Sequence, residues 1–125
     1  MTKHRKMRES DRNKLEALFN AGLAVKRIAE ELKAIYYGTE TNEDGEAITL
    51  WDYFSDALDW DYTTNKFKEY QSVKIWIGLG GPNVWIDTED SYVHLAWGSD
   101  KEEYPLSYYV RDEIDAIFEE YYNCN

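Results

Sequence analysis

Apolar residues in the first third of the chain recur at helical spacing. Leu15, Leu18 and Phe19 mark one helix, capped by Ser10 or Asp11 and running to about Asn20. Ala21-Gly22 reads as a break, because glycine accepts the conformations that end helices. Val25, Ile28, Ala29, Leu32 and Ile35 then predict a second helix over about 24–36. Two helices across a short glycine turn form a helical hairpin or the first half of a helix-turn-helix. The polar stretch Gly38 to Ala47 is a loop and a module boundary. Thr49 caps a further helix from Leu50 to about Tyr62, with Trp51, Phe54 and Leu58 inward and Asp52, Asp56 and Asp59 on another side.

From Ser72 the period changes to two. Val73, Ile75, Ile77 and Leu79 alternate with Lys74, Trp76 and Gly78. After a Gly80-Gly81-Pro82-Asn83 turn, Val84 and Ile86 continue the apolar face, and after a second turn Val93, Leu95 and Trp97 do the same. These segments predict a three-stranded antiparallel meander. Gly98 to Tyr104 reads as a charged loop. Pro105 opens a last helix to about Tyr122, with the stripe Leu106, Val110, Ile114, Ile117, Phe118 and Tyr121.

The expected fold is therefore α+β, with residues 1–38 as a helical hairpin and 39–125 as a second module whose sheet packs on a long C-terminal helix. One sheet face is apolar. The other carries Trp76, Trp85, Tyr92 and His94, and calls for a cover; the helix bearing Trp51 and Trp60 is the expected one.

Composition narrows the function classes. With 125 residues, 43% hydrophobic and 16% aromatic, the chain has material for one packed domain and is not an acidic disordered tail. It has no apolar run of transmembrane length, and Met1 to Arg12 lack the apolar core of a secretory signal. A lone cysteine, Cys124, fits a reducing compartment. A cytoplasmic protein, without membrane contact, is expected.

The net charge of −11 is unevenly spread. Residues 1–33 hold nine Lys/Arg against five Asp/Glu, whereas residues 34–125 hold five against twenty. Helices normally interleave Glu with Lys; this acidic module does not. Side chains three or four apart on a helix lie about 5–6 Å from each other, the order of the phosphate spacing along a DNA strand. Asp52, Asp56 and Asp59 form one such row, and Asp112, Asp115 and Glu119 another, with Glu89 and Asp90 widening the field. Such a surface suits a cationic groove on a partner protein.

Catalytic signals are weak. His4 lies in the basic terminus, and His94 sits among strand aromatics. Asp87, Glu89 and Asp90 lack the glycine and terminal glutamate of an EF-hand loop, Gly78 to Gly81 lack a P-loop lysine, and Cys124 has no CxxC partner. No catalytic residue, metal site or cofactor is assigned.

The stretch Arg8 to Leu32 (RESDRNKLEALFNAGLAVKRIAEEL) resembles the opening of the helix-turn-helix of transposases and phage regulators. The base-reading helix of that motif is missing or eroded, since Leu32 is followed by KAIYYGTE. The resemblance implies DNA contact through Arg12, Lys26 and Arg27. From Ser72 to Tyr122, the strand–Gly-Gly-Pro–strand order and the acidic closing helix are similar to small phage and mobile-element proteins. Together these resemble anti-CRISPR and anti-restriction inhibitors, which implies binding to a host defence nuclease through a DNA-mimicking acidic surface. The alternative is a helix-turn-helix transcriptional regulator.

Overall fold

In the computed structural model, residues 9–80 and 82–124 are described. The chain order is α1 (Glu9–Tyr36), α2 (Leu50–Phe54), β1 (Asp59–Thr64), β2 (Tyr70–Gly78), β3 (Asn83–Asp87), β4 (Tyr92–Trp97), β5 (Asp100–Pro105) and α3 (Tyr108–Asn123). The protein is α+β, but two expectations are overturned. The sheet has five strands, not three, and the N-terminal helical hairpin is one continuous helix.

Gly22 does not break α1. A glycine inside a helix costs about 1 kcal/mol relative to alanine, and here that cost is outweighed by the burial of Val25, Ala29, Leu32 and Ile35 on one stripe. The helix ends instead at Gly38, whose φ of 75° is the left-handed conformation glycine tolerates. The Gly38 N–H donates to Ile35 C=O at 3.0 Å and the Thr39 N–H to Ala34 C=O at 2.9 Å. That pair of bonds is a Schellman cap.

Thr49 caps α2 as expected, through a capping box with Asp52. The helix stops at Phe54, eight residues short of the expected end. Asp59 to Thr64 are a strand because Trp60 and Tyr62 alternate with Asp59 and Asp61; the first pair packs against the core and the second is exposed. Leu58, expected inward, is 59% exposed. The expected charged loop before α3 contains β5, an edge strand whose inward residues, Glu102 and Tyr104, are only half-buried. Pro105 ends that strand and does not open α3.

The strands run in sequence order, β1-β2-β3-β4-β5, all antiparallel. Val73, Ile75, Ile86, Val93 and Leu95 share one buried face. That face packs in a single apolar cluster with α1, with Leu50 and Phe54 of α2, and with Val110, Ile114 and Phe118 of α3. Trp51 and Trp60 belong to this side: their rings lie 6.0 and 5.3 Å from that of Phe118. They do not cover the other face, and no helix among the described residues does.

Candidate functional site: an aromatic ladder on the open sheet face

Strand register sets one row straight across the open face: Asp59 pairs with Trp76, Trp76 with Trp85, Trp85 with His94 and His94 with Glu103. Three rings stand between two carboxylates. The next row is Asp61, Lys74, Asp87, Tyr92 and Pro105.

The rings follow the strand spacing of about 4.8 Å. Trp76 and Trp85 have centroids 5.2 Å apart with planes tilted by 40°, and Trp85 stacks on His94 at 5.0 Å and 9°. Each end of the ladder is tied to acids. The Trp76 indole N–H donates to Asp61 Oδ2 at 3.2 Å. His94 Nε2 lies 2.7 Å from Asp90 Oδ2, and His94 Nδ1 3.5 Å from Glu103 Oε2. The Lys74 ammonium lies 5.4 and 5.8 Å from the Trp76 and Trp85 ring centres, a cation–π position over both.

The acids expected to form the partner surface fall into separate places. Asp52, Asp56 and Asp59 do not share a helix. Asp52 accepts the Thr49 N–H at 3.0 Å, which holds its carboxyl below the ordinary range; Asp56 is exposed in the turn after α2; Asp59 accepts the Trp60 N–H at 2.9 Å at the start of β1. Asp112, Asp115 and Glu119 do follow one another along α3. Asp112 takes the Arg111 Nε–H at 2.9 Å, and Glu119 is exposed. Asp115 accepts the Tyr70 hydroxyl at 2.6 Å. Burial and that bond push the Tyr70 hydroxyl well above its ordinary pKa. Glu89 and Asp90 occupy the β3–β4 turn, where Asp90 also accepts the Tyr92 N–H. Lys26 and Arg27 are exposed on α1; the Arg12 side chain, like His4, lies outside the described residues. The turn on which the helix-turn-helix docking depended is absent from α1.

The four aromatics of the open face, Trp76, Trp85 and His94 of the ladder and Tyr92 of the next row, were readable from period-two alternation. Asp61 and Glu103 were missed as parts of the site, because β1 read as the end of a helix and β5 as a loop; Lys74 was placed on the outward side of β2 but given no role. Among the described residues no group of three His, Cys, Asp or Glu side chains is arranged to hold a metal ion, and no helix is long and apolar enough to cross a membrane. No family model matches the chain, and no curated protein or solved structure matches it either.

Proposed function

We propose that this chain is a non-catalytic inhibitor that binds the cationic nucleic-acid groove of a defence nuclease, such as a CRISPR effector or restriction complex, and blocks its access to DNA. The observation that carries the reading is the unneutralised state of its carboxylates. Among the described residues, the acids with a basic side chain in reach are Asp90 and Glu103, both beside His94, and Asp112, beside Arg111. The lysines beyond Ala34 pair with no acid there, so the charge imbalance of residues 34–125 is carried at the surface. Carboxylates displayed without counter-charges repel DNA and attract a Lys/Arg groove.

The test is competition. Purified CRISPR effectors and restriction complexes are loaded with labelled duplex DNA and titrated with the protein at two salt concentrations. The expected result is displacement that weakens as salt rises. Asp112→Lys with Glu119→Lys is expected to weaken displacement; Asp115 is left intact because it holds Tyr70. No displacement from any of them overturns the reading. A mobility shift of free DNA by this protein, abolished by Lys26→Ala and Arg27→Ala, replaces it with the regulator.

A further inference from the structure

We infer that the open sheet face is a docking surface for an arginine-bearing segment of the partner, with a guanidinium set against the Trp76 ring between Asp59 and Asp61. The inference rests on the cationic partner proposed above and names the chemistry of the contact. The rings of Trp76, Trp85 and His94 lie outside the core cluster and are half-buried, so each shows part of its surface to solvent; aromatic surface gathered in a continuous row marks interaction sites. Here the row has few free ring faces. Trp85 is covered by Trp76 on one side and His94 on the other, and His94 ends against Glu103. The β1 side of Trp76 is different. Its neighbours across that strand are Asp59 and Asp61, short acids with no ring.

Charge selects the occupant. Asp59, Asp61, Asp87, Asp90 and Glu103 surround the ladder, against Lys74 and Lys101. A phosphate backbone meets net repulsion on this face, and a cationic segment meets attraction. The ladder already attracts one cation, since Lys74 lies over two of its rings and pairs with no carboxylate among the described residues. Arginine fits the remaining place better than lysine. Its planar guanidinium stacks on an indole while donating in parallel to carboxylates, and it sheds water more readily than an ammonium.

The experiment uses the full chain, 15N-labelled, titrated with an arginine octapeptide, a lysine octapeptide and an oligothymidylate. The five tryptophans give separate indole N–H reporters. The arginine peptide is expected to shift Trp76 and Trp85 while leaving Trp51 and Trp60, on the core side, in place. Trp76→Ala is expected to weaken the arginine peptide about tenfold. Asp59→Asn with Asp61→Asn, which keeps every ring, is expected to weaken it several-fold. Equal affinity for the lysine peptide, or shifts confined to residues of α3, overturns the inference. Shifts of Trp76 driven by the oligothymidylate also overturn it and make the face a stacking platform for single strands. Nuclease competition that survives Trp76→Ala but is lost in Asp112→Lys with Glu119→Lys sinks this inference alone, and leaves the inhibitor reading standing.

Discussion

Replacing Gly22 with alanine separates the two ways of reading the N-terminal segment. In a continuous α1 the added methyl removes a helix-interior glycine, which is worth about 1 kcal/mol. The site has room for it: the new Cβ lies 3.8 Å from Glu102 Oε2 and 3.9 Å from its Cδ, ordinary van der Waals contact. Unfolding entropy of about 2.1 cal/mol/K per residue then converts that gain into a rise in Tm of roughly 4 °C for a chain of this size. If Gly22 instead closed a hairpin turn with positive φ, alanine would cost about 1–2 kcal/mol and Tm would fall. Gly38→Ala is the internal control. Gly38 has a φ of 75° with nothing near its absent Cβ, so its substitution is expected to lower Tm through backbone strain alone. Thermal melts at 222 nm and urea titrations of both variants give the answer. A destabilised Gly22→Ala protein would refute the single-helix argument and restore the hairpin.

Three other outcomes follow from the packing. Phe118→Ala empties the centre of the Trp51, Phe54 and Trp60 ring cluster, whose centroids lie 6.0, 5.9 and 5.3 Å from it, and is expected to cost about 3–5 kcal/mol in urea unfolding. Thr49→Ala removes the α2 cap, for a loss of about 1 kcal/mol near neutral pH. Since Asp52 titrates below its ordinary pKa in the folded state, mainly through the Thr49 N–H, its contribution is present above about pH 4 and fades as pH falls; acid titration of wild type and of Asp52→Ala, which removes the acceptor, checks this. At the alkaline end, burial pushes the Tyr53 hydroxyl up to about 12, helped by the charge of Glu31, and raises Tyr62 and Tyr70 as well. These groups hold protons that the unfolded chain releases near pH 10, so stability is level below that and declines as pH rises toward 12. Tyr53→Phe is expected to flatten the decline by about 2 kcal/mol.

What the sequence made legible depended on how sharply burial alternates. Val73, Ile75 and Ile77 against Lys74 and Trp76 mark β2 without ambiguity, and the stripe Val110, Ile114, Phe118 marks α3. β1 hid because Leu58 falls on the same apparent helical stripe as Trp51 and Phe54, so a helix pattern ran on past its true end. Only the pairing of Trp60 with Ile75 and Tyr62 with Val73 turns that segment into a strand. β5 hid for another reason. Edge strands need no apolar alternation and are protected by charge, so Asp100 to Glu103 read as a loop. Gly22 was misread because a glycine permits a break without requiring one, and whether it is used depends on the burial available to the residues after it.

The consequence for the candidate site is specific. Its rings lie on β2, β3 and β4, whose alternation is local, and they were visible as a shared face. Its limiting carboxylates, Asp59 and Glu103, belong to the two edge strands and sit 44 residues apart in the chain. No spacing rule links them. They become ends of one row only when five strands are in register, and the register is set by apolar side chains on the opposite face. A one-residue slip of β1 would turn Trp60 outward and Asp59 into the core, so packing of Trp60 against Phe118 is what holds the acid at the end of the ladder. The chemistry of the open face is thereby fixed from beneath, by residues that no partner would touch.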